Sequence, residues 1–334
     1  MTLAVRSSFK VLLVGFAAAL AGLAAAAQPT PPASAMQAAS SQQQPRPVSA
    51  RQVSPSAWFV QGEAALGSRA NRNFISNAGF IVTSAGVVVI DALGSPVLAR
   101  ELLAQIARVT PQPVTHVILT HYHADHIYGL QEFRQRGARI LAQRDALDYI
   151  HSDTAKSRLQ ASRTELAPWI DENTRLVLPD QWVDGRTELS IGGQRIVLQP
   201  VGPAHTPEDL VVSLPSEGVL FSGDMVFRGR VPFVGQADSG HWIEALDTLL
   251  AMKPKVVVPG HGALSTEPLQ DLQLTRDYLA YLRKAMGDAA REMEPFEEAY
   301  ARTDWSRFQH LPLFREANRM NAYNTYLLME RQPR

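Results

Sequence analysis

Residues 114–126 read VTHVILTHYHADH. The first half, Val114–Thr120, is a β-branched, apolar run of strand character. The second half places His121, His123, Asp125 and His126 within six residues, and a helical pattern opens near Ile127. A strand that ends in four imidazole and carboxylate side chains is a poor core sequence, because such groups are costly to bury without partners. A plain polar loop is the bland alternative. Four metal-type donors at one strand-to-helix turn favour a metal-binding loop instead.

Three further motifs follow downstream. They are Pro203-Ala204-His205-Thr206-Pro207, then Phe221-Ser222-Gly223-Asp224 closing a strand, then Pro259-Gly260-His261-Gly262 after the run Val256–Val258. Each sets one candidate donor just past a strand, with small residues beside it that permit close backbone approach. Alone, a Gly-His-Gly is an ordinary turn; the ordered set of four is specific. Strand-like runs recur at Ala78–Thr83, Gly86–Ile90, Arg195–Gln199, Leu210–Leu214, Val219–Ser222 and Lys255–Pro259. Helical patterns cover Pro96–Val109 (behind a Ser95-Pro96 start signal), Ile127–Arg136 and Ser239–Met252. Consecutive strands followed by strand–helix alternation predict an α/β architecture of layered sheets covered by helices.

The ends read differently. Arg6 and Lys10 precede an apolar run, Val11–Ala26, that closes on Ala25-Ala26-Ala27. That is the pattern of a secretory signal peptide over residues 1–27. As a membrane anchor it would be shorter than the roughly 20 residues that span a bilayer. Residues 28–56 are rich in Pro, Gln, Ser and Ala and read as a disordered tether. The core domain is expected over 57–265. A helical C-terminal extension over 266–334 has its clearest segments at Asp271–Met286 and Leu313–Glu330. No later apolar run approaches spanning length, so no membrane span is expected after export. Lys plus Arg and Asp plus Glu both number 32, which leaves no basic footprint for nucleic acid. With no cysteine, the chain has neither disulfides nor thiolate ligands, and any transition metal must be held by His, Asp or Glu.

The ordered set H-x-H-x-D-H, His-Thr, Ser-Gly-Asp and Gly-His resembles the metallo-beta-lactamase superfamily over roughly residues 58–265. The resemblance implies a four-layer αβ/βα sandwich with two metals at one edge. One would be held by His121, His123 and His205, the second by Asp125, His126 and His261, with Asp224 bridging. Zinc suits these donors, with iron and manganese the other candidates. Two metals about 3.5–4 Å apart can share a hydroxide that serves as nucleophile; Asp125 is then a candidate proton relay. Asp91, in VVIDA, matches an early strand-end Asp of the family and is expected to support the ligand loop from behind. Tyr122 is expected to pack beneath the site.

The stretch Phe221–Gly262 and the segment Asn321–Glu330 resemble exported SoxH-like and quinoprotein-associated hydrolases of this superfamily, which implies periplasmic partners in a sulfur- or quinone-linked pathway. Asp at 224, where true lactamases carry Cys or Ser, points toward broad ester, thioester or lactam-type acyl hydrolysis of a small molecule. Arg228 and Arg230 are candidates for holding a substrate anion, and His241 is a third candidate at the substrate. The alternatives are a persulfide dioxygenase with one iron on His121, His205 and Asp224, a β-lactamase proper, and a non-catalytic periplasmic binding protein.

Overall fold

The computed structural model describes residues 46–331. The segment read as a signal peptide, and residues 28–45 of the tether, lie outside the described residues. Seven strands form one sheet in sequence order: β1 (Ala50–Gln52), β2 (Ala57–Val60), β3 (Ala78–Thr83), β4 (Gly86–Ile90), β5 (Val114–Ile118), β6 (Arg139–Gln143) and β7 (Gln181–Val183). Five form the other, ordered β12-β11-β10-β9-β8: β8 (Thr187–Ile191), β9 (Gln194–Pro200), β10 (Leu210–Leu214), β11 (Val219–Phe227) and β12 (Val256–His261). The helices are α1 (Pro96–Val109), α2 (Ala124–Ile127), α3 (Leu130–Arg134), α4 (Ala146–His151), α5 (Asp153–Glu165), α6 (Ser239–Ala251), α7 (Pro268–Arg291), α8 (Phe296–Arg302) and α9 (Phe314–Arg331).

The layering follows from the period-2 alternation of strands buried on both faces. In β4, Val87 and Val89 join a cluster with Leu98, Leu102 and Ile106 of α1. Their neighbours Val88 and Ile90 point the other way, into a cluster with Leu198, Phe221 and Val258 of the second sheet. Each such side chain contributes roughly 1.5–3 kcal/mol of burial, and a strand apolar on both faces is what a sheet covered on both sides requires. The outer face of the second sheet packs Leu220 and Val257 against Trp242 of α6 and Leu279 and Leu282 of α7. Helices, sheet, sheet and helices make the expected four layers, with the C-terminal helices on the second sheet.

Strands β4, β5, β6 and β7 are parallel neighbours, as are β11 and β12. Parallel pairs need crossovers, and α1 and α6 supply two of them. Residues 91, 119–126 and 261 thereby fall at or beyond the C-terminal ends of parallel strands, where α/β sheets place their ligands; Asp224, expected to close its strand, lies instead within β11, beside the register shift at Gly223.

Two expectations change. The single helix expected over Ile127–Arg136 is two short ones, α2 and α3, broken at Gly129. That residue lies so close to the Ala92 carbonyl that no side chain fits, and its amide donates to the Leu93 carbonyl (3.2 Å). The turn after β4 is thereby packed against the helix carrying His126. The tether also orders earlier than expected: β1 pairs antiparallel with β2, and Val48 is buried with its amide donating to Glu101 (3.2 Å). A three-residue edge strand containing Arg51 and Gln52 offers no apolar period to read. Among the described residues, no helix is long and apolar enough to cross a membrane.

Candidate metal centre

All seven candidate donors converge. His121, His123, His205 and Asp224 form one group, and Asp125, His126 and His261 form a second, adjoining one. His123 Nδ1 lies 3.1 Å from His121 Nε2 and 3.0 Å from His205 Nε2. Asp224 joins the groups. Its Oδ2 is 3.3 Å from both His205 Nε2 and His261 Nε2, and its Oδ1 is 3.3 Å from His126 Nε2. Asp125 Oδ2 lies 3.3 Å from His261 Nε2 and 3.7 Å from His126 Nε2. Gly260 passes so close to Asp224 Oδ1 that a side chain there would displace the carboxylate.

The outward-facing ring nitrogens of His121, His126 and His261 are occupied, whereas His205 Nδ1 is buried without a partner. His126 Nδ1 meets Asp91 Oδ2 (2.9 Å), His261 Nδ1 meets the Ile75 carbonyl (2.8 Å), and His121 Nδ1 meets Thr120 Oγ1 (3.1 Å). Each bond fixes a ring with Nε2 facing the centre, the arrangement that metal-ligating histidines need. At the centre itself, His126 Nε2 and Asp224 Oδ1 are buried without hydrogen-bond partners. Burial, with His126, holds His121 well below the ordinary histidine value; burial, with His205, brings His123 down to about 3. These are neutral imidazoles with open lone pairs. His126 goes the other way: burial would lower it, but Asp91, Asp224 and Asp125 draw it well above. Burial would raise Asp224, and His261, His126 and His121 more than reverse that. Buried carboxylates, neutral imidazoles and orphaned inward-facing atoms fit divalent cations.

Asp91, the candidate support, sits behind the donor loop. Its Oδ1 accepts the Thr120 amide (2.9 Å), and its Oδ2 accepts the Thr120 hydroxyl (2.8 Å) as well as meeting His126. It takes φ 61°, a left-handed conformation uncommon outside glycine. Asp91→Asn should weaken metal affinity by roughly 10–100-fold, measured by chelator competition; unchanged affinity would remove Asp91 from the supporting shell.

The family model for the metallo-beta-lactamase superfamily matches residues 71–261, more than half of the chain and all seven donors. The chain belongs to that superfamily. Homologues in it are metal-dependent hydrolases. The chain is similar to the linear primary-alkylsulfatase of Pseudomonas sp. (strain ATCC 19151), at 26% identity over 59% of this chain and 44% of the relative. It is also similar to the type 2 metallo-beta-lactamase of Bacillus cereus, at 25% over 66% of this chain and 79% of the relative. It thus spans less than half of the alkylsulfatase's length. A solved stereoselective inverting sec-alkylsulfatase from Pseudomonas sp. superposes with a TM-score of 0.69 at 17% identity, covering 84% of this chain and 50% of that one. A metallo-beta-lactamase from Pontibacter korlensis superposes at 0.55 and 24%, covering 70% and 99%.

Beside the metallo-beta-lactamase centre, the candidate substrate residues separate. Arg228 turns away: its Nε donates to Asp271 (2.7 Å) and its guanidinium to the Leu264 carbonyl (2.9 Å), so it ties β11 to α7. His241 is exposed and bound to Asp238 at the start of α6 (3.0 Å); the neighbouring Trp242, not His241, packs on His205 (5.2 Å between rings). Arg230 points inward and is 1% exposed, with both terminal nitrogens unpartnered. It lies over Phe227 (5.4 Å) and Phe233 (4.8 Å), and Phe227 in turn stacks on His261 (4.9 Å). Tyr122 is not beneath the site. It stacks on Tyr149 (3.7 Å) and, with His123, Asp125, His205, Phe233 and Val234, lines a cleft of about 530 Å³.

Sequence reasoning missed the residues that hold the ligand loops. Ser76 donates to the Asp125 carbonyl (2.5 Å), and Asn77 donates to the carbonyls of Pro259 and Gly262 (2.8 and 2.9 Å). Asp209 accepts the Thr206 amide and hydroxyl (2.7 and 2.9 Å), a Thr-x-x-Asp turn whose spacing was readable beside His205. Glu208 accepts the Tyr122 amide (2.9 Å), while its other oxygen is buried without a partner. Burial, aided by Asp209, pushes its carboxyl up to about 8. An acid whose folded pKa lies above its unfolded value of about 4.3 stabilises fully below that value and loses its contribution as pH rises through the folded one. Metal-free protein should therefore lose stability between pH 5 and 8, by up to about 1.4 kcal/mol per pH unit from this group. Glu208→Gln should flatten that slope in urea titrations; identical slopes in the two proteins would refute the assignment.

Proposed function

We propose that this chain is an exported, dinuclear-metal hydrolase that cleaves an ester, thioester or lactam-type acyl bond of a small molecule. The observation that carries this reading is Asp224, whose two oxygens face imidazoles of both donor groups at once. His121, His123 and His205 would hold one metal and Asp125, His126 and His261 the other. Bound divalent metals, zinc by preference of these donors, would supply Lewis acidity and lower the pKa of water. The chain's own residues do the rest. Asp91, Thr120 and the Ile75 carbonyl hold the imidazoles in orientation. Asp125, the most exposed of the seven donors' carboxylates at 15%, is placed to carry a proton between centre and cleft at its Oδ atoms. Tyr122, Tyr149 and Phe233 wall the cleft against water.

Arg230 supports an anionic substrate and favours a second reading, hydrolysis of a sulfate ester by the same centre. The likeness to the curated linear primary-alkylsulfatase points the same way. A single-iron dioxygenase on His121, His205 and Asp224 would leave Asp125, His126 and His261 without a task.

The test is elemental analysis of purified protein combined with assays on a p-nitrophenyl ester, a thioester, nitrocefin and p-nitrophenyl sulfate. About two zinc ions per chain with acyl turnover supports the first reading, and turnover of the sulfate alone supports the second. One iron with oxygen consumption on a persulfide and no hydrolysis overturns both. The export component rests on residues 1–27, and amino-terminal sequencing of periplasmic protein tests it. The resemblance of Phe221–Gly262 to SoxH-like and quinoprotein-associated hydrolases supports partners in those pathways.

A further inference from the structure

Residues 228–238 connect β11 to α6 and carry Phe233, Val234, Gly235 and Gln236 into the cleft wall, yet contain no strand. Buried main-chain groups of such a segment still need partners, and here the C-terminal extension supplies them. The Val231 amide donates to the Pro312 carbonyl (3.1 Å). The Val234 amide donates to Asn321 Oδ1 (2.9 Å), and Asn321 Nδ2 donates to the Pro232 carbonyl (2.7 Å). One side chain of α9 thus grips the loop at two points, on both sides of Phe233.

Asn321 is itself fully buried, as is Asn318 one turn earlier. Asn321 Nδ2 also donates to the Tyr278 hydroxyl (2.9 Å), which donates to Asn318 Oδ1 (2.8 Å). Asparagine is a mediocre helix former, and burying its amide is costly unless every group is paired. An apolar residue would fill that place in the cluster around Leu279 and Leu282 at less cost. The amide is matched instead to the loop's backbone, and the loop carries the ring that covers Arg230.

We infer that Asn321 is a positioning residue for substrate selection: through Pro232 and Val234 it holds Phe233 against Arg230, so that the C-terminal extension sets the cleft's preference for anionic substrates. This rests on the reading of Arg230 as the anion-binding group. The experiment compares wild type, Asn321→Ala and Tyr278→Phe as metal-loaded full-length enzymes on an anionic and a neutral p-nitrophenyl ester. Asn321→Ala should raise KM for the anionic ester roughly 10-fold or more, as small misplacements at a binding wall do, with kcat and metal content within about twofold. Tyr278→Phe removes a hydroxyl from the same network but leaves both loop bonds, so it should lower the melting temperature and spare the KM ratio. In wild type, the Val234 amide should exchange with solvent as slowly as the buried amides of α9. If Val234 exchanges as fast as an open loop, the inference falls, whether or not the variants fold. If both variants shift the KM ratio equally, the network serves only stability and the inference again falls. Absence of any preference for anions in wild type would instead sink the reading of Arg230.

Discussion

Asp224→Ala is expected to reduce turnover by about a thousandfold or more, equivalent to ~4 kcal/mol of barrier, and to cut metal content at both positions together. The expectation follows from where the carboxylate sits. Its oxygens are 3.3 Å from nitrogens of His126, His205 and His261 and 3.7 Å from His121. No other donor reaches both groups so evenly. Alanine would remove the charge that His261, His126 and His121 face in a fully buried setting, where an uncompensated charge imbalance is costly. Asp224→Asn keeps the shape and removes only the charge, so it should fall nearly as far if the carboxylate's charge is what matters. Elemental analysis and kcat on the same samples check this. Two metals and a wild-type rate in Asp224→Ala would end the bridging assignment.

Arg230→Met is expected to separate substrates rather than destroy activity. For an anionic ester, kcat/KM should drop roughly 100-fold, about 3 kcal/mol, the scale of truncating one partner of a buried charge pair. For a neutral ester the change should stay within a fewfold. Folding should not suffer. Burial lowers this guanidinium to about 10, with Asp224 and Asp125 pulling the other way. Holding it charged at neutral pH costs on the order of 3 kcal/mol of folding free energy. Its terminal nitrogens bond nothing in the fold, so an apolar side chain of similar length should leave the melting temperature unchanged or higher. Arg230 Nε donates to the Val231 carbonyl (3.3 Å), and the two open terminal nitrogens are the ones proposed to meet a ligand. Equal losses on neutral and anionic esters would show that Arg230 shapes the centre instead of selecting what enters it.

The ligand loops were legible because their chemistry is local. Four donors in six residues announce themselves, and each remaining donor follows an apolar run with small residues beside it. The unbroken apolar run of β4 likewise marks a strand covered on both faces. The cleft was not legible, because its wall is built from ordinary residues brought together by the fold. Tyr149 and Arg158 lie on α4 and α5, helices whose mixed composition shows no strong period. Arg228 and Arg230 are two apart with the same chemistry, and only the turn after β11 sends one toward Asp271 and the other inward. Tyr122 was misplaced because alternation along an extended chain puts it opposite its neighbours, whereas the chain already turns at His123, the residue that opens α2. The role of Asn321 gave no signal, since one asparagine among the many polar residues of α9 reads as exposed.

The division of candidate donors between the two sheets would also order assembly. His121, His123, Asp125 and His126 follow β5 of the seven-stranded sheet, whereas His205, Asp224 and His261 belong to the five-stranded one. Each donor group draws on both. Neither half of the chain, folded alone, would own a complete coordination set, so high affinity must await the docking of one half on the other. Were the centre loaded as proposed, cation binding would follow that docking, and chelation would loosen it first. In a chain without cysteines, such coordination bonds would take the part of a covalent cross-link between halves, one that forms in any redox environment and can be withdrawn by competition for the metal.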